Sequence, residues 1–196
     1  MRGFTLVELL ITIAIISILA VVVVIVLNPI ELIKQARDST RVTDMANLKH
    51  AVGLYLTENP YGTLASSSAG YGACYLSTTS GNGTSSPNCG IFKNTFGKIA
   101  SSSSATYRNN DSTGWVPVNF HLTIGVPLGP LPVDPVNNAF YYYGYAATTT
   151  SGSYFEFGAF IESKKYGYKG ASDVITPSGS SNTSTIETGN IAGLSL

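Results

Sequence analysis

The chain is poor in charge and in reactive side chains. Only 11% of its 196 residues are Asp, Glu, Lys or Arg, with 11 of each sign, so the formal net charge is zero. That balance argues against a nucleic-acid-binding surface, and the one cluster of lysines, Lys164, Lys165 and Lys169, is a weak patch whose simplest role is a solvated strand end. A structural zinc wants four ligands, and His50 and His121 are the only histidines, so no metal site is expected. The sequence contains no G-x-S-x-G elbow, no G-x-x-x-x-G-K-[ST] phosphate loop and no H-E-x-x-H pair. Neither enzymatic activity nor a cofactor is expected.

Charge is also scarce at the start, where the chain is most apolar. No basic residue lies between Phe4 and Leu27, and the single acid there is Glu8. Leu9 to Leu27 as a helix spans about 28 Å, close to the hydrocarbon thickness of a bilayer at roughly 30 Å. The β-branched run Val21 to Val26 would favour a strand in water, but in lipid only a helix satisfies its own backbone. No small-residue cleavage site follows the run, so the apolar segment is expected to stay in the mature protein. A carboxylate in such a segment costs about 2.5 to 3.5 kcal/mol and marks function. Glu8 therefore needs a partner from outside the segment. The nearest is an amine exposed by cleavage after Gly3, on the same chain or a neighbouring copy.

Gly3, Phe4, Thr5, Leu6 and Glu8, followed by this hydrophobic span, resemble the class III signal of type IV prepilins and type II secretion pseudopilins. The resemblance implies that a prepilin peptidase cuts between Gly3 and Phe4 and methylates the new Phe4 amine. It implies that Glu8 neutralises the Phe4 amine of a neighbour during assembly. It further implies an assembly ATPase and an inner-membrane platform as partners, since the chain has no nucleotide site of its own. Lys34, Arg37 and Arg41 follow the span and by the positive-inside tendency would hold the head in the cytoplasm. The resemblance and the Ser, Thr, Gly and Asn richness of the head place it outside instead.

In that oxidising compartment Cys74 and Cys89 are expected to form a disulfide, with two free buried thiols as the alternative. Closing a loop of this length contributes about 3 kcal/mol. Asn82, Asn110 and Asn182 begin N-x-[ST] sequons; they are candidate glycosylation sites, with unmodified surface loop the plainer account.

The expected fold is α+β and pilin-like: a long N-terminal helix, membrane span continuing into the head, packed on a small antiparallel sheet. Residues 1–3 are the leader and 4–28 the transmembrane and filament-core helix, with a bend at Asn28 and Pro29. Residues 29–59 form an amphipathic half, its stripe being Ile30, Ile33, Val42, Met45, Leu48, Val52 and Tyr55. Lys34, Asp38, Arg41 and Asp44 then fall on a solvated face. Residues 60–120 read as a polar excursion pinned by the disulfide and by Ile91, Phe92, Phe96 and Trp115. The sheet is expected in 121–176: a strand at Phe140 to Tyr143, a turn at Thr148 to Ser153, and a half-buried strand at Tyr154 to Glu162. Tyr141, Tyr142, Tyr143 and Tyr145 are expected to pack, not to form an adhesive stack. Residues 177–196 read as a polar tail.

Leu131-Pro-Val-Asp-Pro-Val-Asn137 resembles the turn before the aromatic strand of major pseudopilins, although the calcium loop typical after their strands is not evident. The expected function is that of a structural subunit, a pilin that polymerises with itself into a type IV pilus-like filament. Its place is the cell membrane before assembly, as a single-pass chain with the head outside, and a cell-surface filament or periplasmic pseudopilus afterwards. The alternatives are a pseudopilin of a type II secretion system and, from another class, a membrane-tethered binding or adhesion module that does not polymerise.

Overall fold

A computed structural model describes residues 3–65, 73–78, 91–92, 98–100, 105–125, 128–147, 154–180 and 182–190. Two helices lead the chain, α1 (Leu6–Leu27) and α2 (Pro29–Glu58). Asn28 separates them. Its backbone is left-handed, at φ 43°, and its side chain accepts from Glu31 N, while Pro29 fills the first helical position, where a missing N–H costs nothing. At the far end, the N–H of Asn59 bonds to Tyr55 O.

The strands β1 (Ala73–Leu76), β2 (Lys98–Ala100), β3 (Tyr143–Ala147), β4 (Phe155–Phe160) and β5 (Thr185–Gly189) form one sheet in the order β2-β1-β3-β4-β5. β1, β3, β4 and β5 each run antiparallel to the strand beside them, and β2 joins the edge parallel to β1. A single helical turn, α3 (Ile175–Ser178), precedes β5. The class is α+β, with a long apolar helix leading a small, largely antiparallel sheet.

α2 lies across the inner face of the sheet. Met45, Leu48, Ala51, Val52 and Tyr55 bury there against Tyr143, Tyr145, Phe155, Phe157 and Ala159. Tyr145 pairs with Phe157 across β3 and β4, their rings 4.8 Å apart. Trp115 closes this layer, edge-on to Phe157, with its indole N–H on Pro132 O at 3.0 Å. Tyrosines suit the position because each ring is apolar and each hydroxyl finds a partner: Tyr143 donates to Asp44 and Tyr145 to Leu64 O.

Several expectations need correction. Three strands fall outside 121–176: β1 and β2 lie in the segment read as a polar excursion, and β5 in the segment read as a tail. The first aromatic strand begins at Tyr143, not Phe140, because Asn138 Oδ1 accepts from both Phe140 N and Tyr141 N and holds those residues in a turn. β4 is not half-buried. Its outer face is covered too, where Ile91 and Phe92 lie over Gly144 and Gly158, which pair directly across β3 and β4. A Cβ on Gly158 would stand 2.1 Å from Ile91 Cγ2, so only glycine admits this contact. Ile30 and Ile33 leave the head-facing stripe and are 67% and 55% exposed. The turn at 148–153 and Phe96 lie outside the described residues.

Candidate functional site

The N-terminal residues form the first part of the site. Thr5 is extended and caps α1, so Gly3 and Phe4 precede the helix as open chain; Phe4 is 81% exposed and nothing stands within 4 Å of a Cβ built on Gly3. Glu8 Oε2 accepts from Thr5 N at 2.9 Å and Thr5 Oγ1 at 2.7 Å, and Thr5 Oγ1 accepts in turn from Glu8 N. This reciprocal capping box satisfies donors that a helix start leaves open. Thr5 thus gives Glu8 two donors from within its own segment. Both are neutral, and among the described residues no cation meets the carboxylate.

Beyond Glu8 the helix surface is apolar except for Thr12 and Ser17, whose hydroxyls donate back to Leu9 O and Ile13 O. α1 is long and apolar enough to cross a membrane, and none of it is buried against its own head.

The second part of the site fixes the head on the spine. Arg41, fully buried, gives Nε and Nη2 to the two oxygens of Asp134 at 2.6 and 2.9 Å, and its Nη1 contacts Asp38 at 2.8 Å and Glu162 at 2.6 Å. Arg37 forks onto Glu162 from the adjacent turn. Asp38 accepts from the N–H groups of Glu162 and Ser163, and Asp134 from those of Val136 and Asn137. One helix turn thus clamps the Pro132–Pro135 turn and the end of β4. Burial disfavours the Arg41 cation, but the Asp134, Asp38 and Glu162 carboxylates outweigh this and raise its pKa above the ordinary value. For Glu162 burial pushes the pKa up, while hydrogen bonds from Arg37 and Arg41 bring it below the ordinary carboxylate value.

Asp38 and Arg41 are therefore not on a solvated face, and Arg41 partners Asp134 from far along the chain. Sequence reasoning missed this cluster. Its signal was an acid enclosed by two prolines, Asp134, and a carboxylate and guanidinium three residues apart on one helix, Asp38 and Arg41.

The remaining candidate residues are dispersed over the head. Cys74 is buried in β1, and Cys89 lies outside the described residues, as does Asn82. Asn110 has its amide nitrogen on Leu128 O and Gly129 O at 3.0 and 3.2 Å, contacts that a glycan would have to break. Asn182 Oδ1 accepts from Ser184 N in a turn before β5.

An exposed apolar helix, led by an open Gly-Phe peptide and followed by a folded head, defines a chain anchored at its N-terminus and built to have its spine covered by something else. Residues 1–24 match the family described as the prokaryotic N-terminal methylation motif. The chain thus carries the prepilin-type signal of type IV pilins and pseudopilins, and with it the mark of a prepilin peptidase substrate. No curated protein and no solved structure matches the chain.

Proposed function

We propose that the protein is the structural subunit of a type IV pilus-like filament. The observation that carries this reading is α1: twenty-two residues of apolar helix with no cover from the head and, beside the expected cleavage point, one carboxylate that no cation meets among the described residues. Lipid covers that surface before assembly, and the spines of sister subunits cover it afterwards. In the filament Glu8 exchanges its neutral Thr5 contacts for the methylated Phe4 amine of a neighbour. The contact is heterologous and does not close on itself, so it propagates. Prepilin peptidase prepares the chain, and an assembly ATPase and inner-membrane platform extract it.

A pseudopilus of a type II secretion system is the second reading, favoured by the Leu131–Asn137 turn, where Asp134 receives Arg41. The test is to isolate surface filaments from the source cell, identify their main chain by mass spectrometry and measure its intact mass. A filament built from this chain, starting at methylated Phe4, supports the proposal; abundant membrane-bound protein that retains Met1 to Gly3 and enters no filament overturns it.

A further inference from the structure

The loop after β4 is held against the first turn of α2. Glu31 Oε1 accepts from Lys164 N at 2.7 Å, and Asp38 accepts from Ser163 N at the same distance. Glu31 lies four residues beyond Leu27, the end of α1. At 1.5 Å per residue that is about 6 Å along the chain, within the headgroup layer that adds roughly 5 to 7 Å to each side of the hydrocarbon core.

What the loop presents at this level fits that layer. Lys164, Lys165 and Lys169 are exposed, and among the described residues no ion pair engages them. Tyr168 is 48% exposed beneath the Lys169 ammonium, and Lys165 lies over Tyr166, each 5.1 Å from the ring centre. The nearby acids are turned to other donors: Glu31 to Lys164 N, Glu162 to Arg37 and Arg41, and Asp173 to the N–H groups of Lys169, Ile175 and Thr176. The loop is preshaped. Lys169 is left-handed at φ 60°, and a Cβ on Gly170 would stand 2.2 Å from Lys164 O. Alongside, Ile30, Leu32 and Ile33 project unburied from α2. Cations, tyrosines and exposed aliphatic side chains at one depth are the composition of a membrane interface.

We propose that residues 164–169 form a membrane-surface site that rests on anionic lipid headgroups of the bilayer crossed by α1, fixing the head's orientation before assembly. This rests on the reading of α1 as a membrane anchor. The test reconstitutes the full chain into nanodiscs of phosphatidylcholine alone, or mixed with phosphatidylglycerol, and follows amide hydrogen exchange.

Exchange at 164–170 is expected to slow by about tenfold in the anionic discs, with each engaged lysine adding to the protection. Raised salt should reverse this, and so should the triple variant Lys164→Gln/Lys165→Gln/Lys169→Gln. Exchange in β4 should stay constant in every sample, showing an intact head. Full incorporation with equal exchange in both lipids overturns the surface site and leaves the anchor standing, whereas failure to enter either disc overturns the anchor. Protection by duplex DNA in neutral discs with none from anionic lipid assigns the lysines to nucleic acid and also overturns the proposal.

Discussion

Arg41 grips both carboxylate oxygens of Asp134, 93 residues further along the chain, at 2.6 and 2.9 Å with neither side chain exposed to solvent. Removing the cation would leave Asp38, Asp134 and Glu162 crowded around a buried hole. Arg41→Met is therefore expected to destabilise the head by about 3 to 5 kcal/mol. Arg41→Lys should lose most of the same amount, since an ammonium cannot fork onto Asp134 while reaching Asp38 and Glu162. Asp134→Asn should cost less, because its amide oxygen still accepts from Val136 N. Chemical unfolding of the full chain in detergent, followed by the fluorescence of Trp115, the only tryptophan, measures all three.

The same cluster predicts an acid limit to stability. The Glu162 pKa lies below its ordinary 4.5 in the fold, so its contribution is fully present above pH 4.5 and is lost as pH falls through the lowered value. Asp173, hydrogen-bonded by Thr176 and neighbouring N–H groups and brought from 3.8 to about 2, acts with the same sign over that lower window. Asp44 opposes them: burial pushes it up despite the Tyr143 hydrogen bond, so its contribution is present below pH 3.8 and fades as pH rises through the raised value. Unfolding midpoints should therefore decline below about pH 4.5, and Glu162→Gln, although less stable near neutrality, should show a shallower decline over the same range.

Glycine marks where the head is closed on its outer side. Gly158→Ala should drive Ile91 and Phe92 off the sheet at a cost of about 1 to 3 kcal/mol, because the new methyl has no room. Gly53→Ala on α2 meets nothing within 4 Å and should instead stabilise by about 0.5 to 1 kcal/mol through helix propensity. The two unfolding curves, shifted in opposite directions, check both. If Cys74 and Cys89 are bridged, reduction should loosen the same Ile91-Phe92 contact, seen as faster amide exchange at 91–92, since Cys89 is two residues from Ile91.

The spine was legible in the sequence because lipid imposes a simple rule, a long apolar helix, and because the residues from Gly3 to Glu8 follow a strict order. The strand β4 was legible from period-two alternation at Phe155, Phe157 and Ala159, although not the burial of both its faces. β1 and β5 were not: at four and five residues they are defined by pairing to β3 and β4, and their Ser, Thr and Gly surroundings read locally as loop. Arg41 and Asp38 were assigned to a solvated face because charge on a helix usually faces water. Their burial depends on Asp134 and Glu162, which arrive from far along the chain, and no local pattern reports that.

The central claim is that Glu8 serves assembly and not anchoring, and counting surface filaments on cells that make Glu8→Val, against membrane-bound subunit in the same cells, tests it most directly. Removing the charge eases residence in the bilayer by up to roughly 3 kcal/mol, so the membrane level should hold or rise. Filaments should nevertheless disappear, because a neighbour's Phe4 amine would be buried without its counter-ion, and Glu8→Asp, with the charge kept on a shorter arm, should fall between. Filaments as abundant from Glu8→Val as from the unaltered chain would contradict the account and leave a tethered module that never polymerises through this residue.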